Sequence, residues 1–195
     1  MNKILWGVIA VVVIVGWWIG SSYNSLISLD QGVKAQWSNV EGQYQRRSDV
    51  IPGLVSIVKG SANFEQKTLT GVIEARAKAT QVVIDPNKLD AVSLQKFQEA
   101  QGAVGSALGR LLAVSESYPQ LSSTAGFRDL QSQLEGTENR IAVARRDFNT
   151  SAQGYNTRIK QFPGSLIAGM FGFSEKAYFA ADEGTSKAPA INFEN

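Results

Sequence analysis

The charged residues best placed to do chemistry form a cluster at Arg46 and Arg47, followed closely by Asp49. Adjacent guanidinium groups bind phosphates and carboxylates, so this cluster could form an anion site or a lipid-headgroup site. Arg47, however, falls on the apolar face of a predicted helix, where an unpaired charge is costly. We therefore favour a structural ion pair for Arg47. Glu135 and Glu138 are the predicted partners, because both lie at or beside the apolar face of a later helix.

Conventional catalytic groups are scarce in this chain. It contains neither cysteine nor histidine, which excludes disulfides, thiol nucleophiles, imidazole bases and zinc sites built from those residues. Carboxylate chemistry and oxygen-ligated Mg²⁺ or Ca²⁺ stay open, but no carboxylate pair falls in a recognisable loop or pocket. We predict no catalytic residue, no metal and no cofactor, and hence a protein that is not an enzyme. The net charge is only +2 and the basic residues are scattered along the chain, so the sequence does not indicate a nucleic-acid-binding surface.

Residues 1–22 are predicted to form a transmembrane anchor. No charged residue occurs from Ile4 to Leu29, and the stretch 4–20 is apolar almost throughout. About 20 helical residues suffice to cross a hydrocarbon core of ~30 Å. Within this span, Gly16 and Gly20 have the spacing of small residues that lets two membrane helices pack closely. They are therefore the predicted positions of helix packing in the membrane.

The alternative to a retained anchor is a cleaved signal peptide, for which Gly20, Ser21 and Ser22 offer a weak small-residue site. We favour the retained anchor because the helical pattern runs directly from the span into the following domain. Lys3 carries a positive charge before the span, whereas the charges of Asp30 and Lys34 cancel each other after it. The positive-inside rule therefore predicts a cytoplasmic N-terminus. The domain is then expected outside the cytoplasm.

Beyond the anchor, apolar residues recur every three or four positions, which predicts long helices. A second stripe runs from Phe64 to Val82 and a third from about Asp90 to Tyr118. Pro52 interrupts the first stripe and is expected to kink or restart that helix. The first stripe comprises Leu26, Leu29, Val33, Trp37, Val40, Tyr44, Ile51, Leu54 and Val58.

The last stripe, from Phe127 to Phe162, alternates spacings of three and four and resembles a coiled-coil heptad pattern. A helix of that extent is roughly 50 Å long at ~1.5 Å per residue, which matches the first helix. Two helices of equal length favour an antiparallel pair. The predicted fold is therefore all-α, with the anchor followed by an antiparallel bundle of about four long helices over residues 23–164.

The segment 165–180 is unusually apolar for a chain that has just completed its longest helix. Since an antiparallel last helix returns the chain to the membrane, we predict that this segment lies close to the bilayer and contributes to assembly or lipid contact. The alternative is that it plugs the end of its own bundle. Residues 181–195 are small and polar and are expected to be a disordered tail. The predicted contact residues of the segment are Leu166, Ile167, Met170, Phe171 and Phe173.

Six long, ordered motifs cover about residues 23–179. They are YNSLISL at Tyr23, QRRSDVIPGLVSIVKG at Gln45, EARAKA at Glu74, ALGRLLAVSESYPQL at Ala107, FRDLQSQLEGTENRIAVARRDFN at Phe127 and YNTRIKQFPGSLIAGMFGF at Tyr155. Together these motifs resemble the LemA family. The resemblance implies a bacterial protein with one N-terminal membrane helix and an antiparallel helical domain. It also implies a location in the bacterial inner membrane and a membrane metalloprotease as a candidate partner.

Two functions fit these expectations. The first is a non-enzymatic scaffold that contacts membrane lipids, forms homo-oligomers and organises or remodels the membrane or its partners. The second is an adaptor or regulator of a membrane protease or an envelope stress system. A scaffold is expected to form large homo-oligomers on gentle extraction, whereas an adaptor is expected to co-purify with another protein.

Overall fold

A computed structural model describes residues 2–60 and 65–180, and the predicted tail at 181–195 lies outside that range. The described residues form helices without any strand, which confirms the predicted all-α class. The helices are α1 (Asn2–Lys59), α2 (Gln66–Gln81), α3 (Ala91–Ser115), α4 (Pro119–Ser122), α5 (Ala125–Lys160) and α6 (Gly164–Phe171).

Helix α1 combines the membrane anchor and one side of the bundle in a single element. Its apolar side chains from Ile4 to Trp17 are exposed, whereas Leu26 begins a stripe that is fully buried. The described chain contains one helix long and apolar enough to cross a membrane, and it is this one. The N-terminal apolar helix is therefore a candidate membrane anchor that continues without a break into the bundle.

Pro52 neither ends nor restarts α1, so the prediction of a restart is wrong. Proline lacks an N–H, which leaves the carbonyl of Ser48, one turn earlier, without its helical donor. Arg76 of α2 donates its Nε–H to the Ser48 carbonyl at 3.0 Å and lies 3.1 Å from the Ser48 hydroxyl. A side chain from a neighbouring helix thus replaces the bond that Pro52 removes.

Helices α1 and α5 form the long antiparallel pair at the centre of the fold. Gly32 lies against Ser151, Gly53 against Leu130 and Gly126 against Ile57, so one register holds along the whole pair. Extended to the last residue of α5, that register sets Lys160 beside Tyr23. The C-terminal end of α5 therefore meets α1 where the apolar anchor ends.

Two apolar clusters fill the bundle. The distal cluster packs α2 and α3 against the second half of α1 and the first half of α5, around Leu54, Leu111 and Phe127. The membrane-proximal cluster surrounds Trp37 and Phe148 and includes Phe179 from the segment after α6. Asp90, the residue before α3, accepts a hydrogen bond from the Ser93 N–H through its side chain and so caps the helix.

Candidate functional site

Arg47 lies in the middle of the bundle, and its side chain is only 3% exposed. Its Nη1 donates to Glu138 Oε1 at 3.0 Å, and its Nη2 donates to the carbonyl and the side-chain Oε1 of Gln101 at 2.8 and 2.6 Å. The guanidinium also lies 4.9 Å from the centre of the Tyr44 ring. Three helices thus contribute partners to the buried guanidinium, although the side chain of Glu138 is itself 47% exposed.

Of the two glutamates predicted to face Arg47, the structure brings Glu138 to it and not Glu135. Glu135 is exposed and accepts a hydrogen bond from Gln131, one turn earlier on the same helix. Both glutamates border the groove between α3 and α5, because residues three apart share one side of a helix, but only Glu138 pairs with the guanidinium. The prediction was wrong for Glu135.

The segment after α6 is an extended strap, residues 173–180, that runs back along α5 away from the membrane end. Asn156 accepts a hydrogen bond from the Lys176 N–H at 2.9 Å and donates to the Lys176 carbonyl at 2.7 Å. Asn149, two turns earlier, repeats the pattern on Phe179, with distances of 2.8 and 3.0 Å. Each asparagine amide therefore pairs with the strap as a neighbouring β-strand would.

Other contacts to the strap are also made to its main chain. Tyr155 donates its hydroxyl to the Ser174 carbonyl at 3.0 Å, and the Ala177 N–H donates to the Leu89 carbonyl at 3.0 Å. The Ala180 carbonyl accepts from Gln98 and from Arg145. The strap's position is consequently fixed by its backbone.

Lys176 and Phe179 are the side chains that anchor the strap in the core. Phe179 stacks on Trp37, with ring centres 6.1 Å apart, and meets Phe148 edge-on. Lys176 is buried, and its Nζ lies 2.9 Å from Asp30 on α1, which Lys34 also contacts at 2.7 Å. The strap thus joins α1 and α5 just above the anchor.

Two pKa values are shifted at this junction. Burial raises the pKa of Asp30, but the hydrogen bonds and charges of Lys34 and Lys176 outweigh it, so the net pKa lies below its usual value. Burial and the Asp30 charge raise the pKa of Tyr155 to about 12. At neutral pH, Asp30 therefore stays ionised between its lysines and Tyr155 stays a neutral donor.

At the membrane end, the structure divides the predicted contact residues between the core and the surface. Leu166 and Met170 are 56% and 70% exposed, and Phe171 is also exposed, whereas Ile167 is 1% exposed and fills the end of the bundle. Phe173 is half-buried, with its ring centre 5.8 Å from that of Tyr23. Inclusion of Ile167 in a contact surface is therefore wrong, because it faces α1 and α5.

The exposed side chains lie beside the end of the anchor. Phe171 packs on Tyr23, with ring centres 4.8 Å apart, and Trp18 and Ile19 line the membrane-proximal cluster. Phe162, just before α6, is 80% exposed. We call Phe162, Leu166, Met170 and Phe171 the interface patch. Ile167 thus plugs the end of the bundle, whereas the side chains of the interface patch are exposed, and their contact with lipid or with another subunit stays a prediction.

Gly16 and Gly20 lie on an open stretch of α1. No heavy atom comes within 4 Å of the position that a Cβ would take at either glycine. Their shared face is consequently available to another membrane helix.

Sequence reasoning missed the two strap-binding asparagines and Arg76. A signal for the first was present, since Asn149 and Asn156 are seven residues apart and each follows a buried aromatic residue, Phe148 and Tyr155. Asparagine is a poor helix former, so two asparagines beside an apolar stripe indicate a tertiary hydrogen-bonding role.

The sequence model of the LemA family matches residues 36–193. The chain belongs to the LemA family. It is 28% identical over 178 residues to Magnetosome protein MamQ 2 of Paramagnetospirillum magneticum, a match that covers 80% of this chain and 64% of that protein. It is 29% identical over 174 residues to Magnetosome protein MamQ of Magnetospirillum gryphiswaldense, with the same coverage of 80% and 64%.

A further relative is Protein LemA of Metamycoplasma hominis, which is 24% identical over 160 residues, or 82% of this chain and 69% of that protein. This match and the family model confirm the predicted membership. The chain spans 64% of the length of the two magnetosome proteins, so part of each has no counterpart in the match.

Proposed function

We propose that this protein is a non-catalytic, membrane-anchored scaffold that self-associates and organises or remodels the bilayer on which its bundle stands. One observation carries the proposal: the antiparallel register returns α6 to the end of the anchor and leaves the interface patch uncovered there. Large apolar side chains exposed together at that level are suited to the interfacial region of a bilayer.

The packing around α6 couples the interface patch to the anchor. The α1–α5 pair, the plug at Ile167 and the strap hold α6 against α1, so α6 cannot move independently of the anchor. An interfacial helix displaces headgroups in one leaflet only, and many copies held in one orientation would impose curvature or order. Self-association supplies those copies, and the open face at Gly16 and Gly20 is the proposed contact between anchors.

The orientation we propose places the bundle outside the cytoplasm of a bacterial inner membrane. Lys3 precedes the anchor, and after it Asp30 is bound to Lys34 at 2.7 Å, so the charge bias favours a cytoplasmic N-terminus. An alkaline phosphatase fused after Asn195 is expected to be active. Activity of a cytoplasmic reporter fused there instead would reverse the orientation.

The membrane contact is tested with the full chain in lipid nanodiscs. Because the chain has no cysteine, Met170→Cys gives a unique site for an environment-sensitive fluorophore. We expect blue-shifted emission and protection from aqueous iodide at residue 170. Ser132→Cys, at an exposed position in the distal half of α5, is the matched control and is expected to be fully quenched. Equal quenching at both sites would disprove membrane contact by α6.

Self-association is tested separately, by measuring particle mass after gentle extraction. We expect a homo-oligomer whose mass falls when Gly16→Leu and Gly20→Leu are combined, while Gly7→Leu on the same helix has little effect. A monomer that co-purifies with a membrane protease would contradict the scaffold and support the adaptor.

A further inference from the structure

Two cations lie on the last turn of α5, just before the chain enters the interface patch: Arg158 and Lys160. The α1–α5 register sets Lys160 beside Tyr23, at the level where the uncharged anchor gives way to the polar part of α1. This is the level of lipid headgroups if residues 1–22 span the membrane. A cation there either has a protein partner or faces lipid phosphate.

Lys160 has a protein partner, whereas Arg158 has none among the residues that the structure describes. Lys160 Nζ lies 2.6 Å from Glu175, at the start of the strap. Arg158 makes no ion pair or side-chain hydrogen bond within residues 2–60 and 65–180. It is half-buried, and its Cδ lies 3.7 Å from the Cβ position of Gly164, so its stem packs on the corner between α5 and α6. The guanidinium is thus held at the corner by its alkyl chain.

The elements around Arg158 present no free acid to it. Helix α6 has no charged residue, and α1 has none between Ile4 and Leu29. Asp30, the first acid on α1, is bound by Lys34 and Lys176, and Glu175 is bound by Lys160. The corner therefore carries a positive charge above an apolar surface.

Gly164 is required for this arrangement. A Cβ at residue 164 would collide with the main-chain carbonyl of Arg158, so a larger residue would push α6 away from the end of α5. The close approach keeps the stem of Arg158 against the first residue of α6, the helix that carries Leu166, Met170 and Phe171. A phospholipid has the same arrangement, because its charged phosphate lies next to its apolar acyl chains.

We propose that Arg158 and the interface patch form a binding site for anionic phospholipid, with Arg158 on the headgroup phosphate and Phe162, Leu166 and Met170 among the acyl chains. Guanidinium binds phosphate through paired hydrogen bonds, and a cation near an anionic bilayer attracts acidic lipid within about one Debye length, ~8–10 Å. The site rests on the proposed membrane contact of α6, and it adds a lipid class to that contact.

The test uses the full chain with a fluorophore at Met170→Cys in nanodiscs that contain phosphatidylcholine and phosphatidylglycerol in equal amounts. Either lipid is supplied with brominated acyl chains, which quench fluorophores that they touch. The ratio of quenching by the anionic lipid to quenching by the neutral lipid reports local enrichment. We expect a ratio of about 3 to 5, since one basic residue near an anionic surface contributes about 1 kcal/mol.

Arg158→Gln is expected to lower that ratio to about 1 while the fluorophore stays in the bilayer. Arg140→Gln makes the same change on the same helix, about 27 Å further from the membrane at ~1.5 Å per residue, and is expected to change nothing. The enrichment should also fall in high salt.

The outcomes separate the two proposals. In the labelled chain with Arg158 intact, both brominated lipids could quench strongly with a ratio of anionic to neutral quenching of 1. That result would overturn the anionic-lipid site and leave the membrane contact intact. Enrichment that survives Arg158→Gln would overturn the role of Arg158. Quenching by neither lipid would show that α6 does not enter the bilayer, and both proposals would fail.

Discussion

Arg47 and Arg158 lie in the same bundle, yet their surroundings differ. Arg47 is buried between α1, α3 and α5 and donates three hydrogen bonds to protein acceptors. Arg158 is half-buried beside α6 and has no ion-pair partner among the described residues. A charge whose partners are all internal holds helices in register, whereas a charge held in place without a partner is available to a ligand. The first region is thus structural, and the second is where we expect function.

The comparison is tested most strongly at Arg47. Arg47→Ala should lower the free energy of unfolding by about 3 kcal/mol, because it opens a cavity between three helices and removes the donor from the half-buried acceptors of Gln101. Urea unfolding of the detergent-solubilised chain measures the change. Arg158→Ala is the matched control, with an expected loss of about 1 kcal/mol, since it removes only the packing of the alkyl stem on the corner. Similar losses for both variants would remove the distinction between the two arginines.

The strap that lies between these regions should respond next most strongly. Asn156 is 2% exposed, and Asn156→Ala strands the buried N–H and carbonyl of Lys176, so we expect a loss of about 2–3 kcal/mol. Asn149→Ala should cost about 1 kcal/mol, since Asn149 is half-buried and water can replace it. Hydrogen exchange at the amides of Lys176 and Phe179 reports which of the two asparagine–strap contacts has been lost. Unchanged exchange at Lys176 in Asn156→Ala would show that the asparagine does not hold the strap.

Arg76 and Pro52 provide a smaller and more specific test of the distal half. Arg76→Met should cost about 1–2 kcal/mol, because the Ser48 carbonyl loses its donor. Pro52→Ala restores a helical N–H to that carbonyl, so in its presence Arg76→Met should cost much less. The coupling energy from the double-mutant cycle is the measurement. Additive losses would mean that Arg76 acts independently of the proline.

The smallest stability effect is expected at the membrane end. Leu166→Glu should change the free energy of unfolding by less than about 0.5 kcal/mol, because Leu166 is exposed. It should nonetheless reduce the protection from iodide of a fluorophore at residue 170. The neighbouring change Ile167→Glu puts a charge into the buried plug and should unfold the corner. A large stability loss for Leu166→Glu would place that residue in the core and leave the interface patch without one of its members.

Much of this architecture followed from spacing alone. A stripe with a period near 3.6 commits a segment to a helix with one buried face, which is why Trp37, Leu54, Phe127 and Phe148 lie in the core as expected. The same phase argument put Arg47 inside the bundle and called for an acid from another helix. It could not choose between Glu135 and Glu138, because both lie near the edge of the stripe and the choice depends on how α5 is rotated against α1.

What the sequence determined by itself is therefore the set of local properties: helix extents, the apolar anchor, and the need for partners at buried charges. Only the tertiary structure decided which groups meet. In it, Asn149 and Asn156 bind residues 173–180 as an extended strap, and Arg76 donates to the Ser48 carbonyl. It also leaves Leu166 exposed and buries its neighbour Ile167. An extended segment such as the strap has no hydrophobic periodicity from which its position could be predicted. A hydrogen bond between residues far apart in the sequence depends on how whole helices pack, and neither segment determines that packing alone.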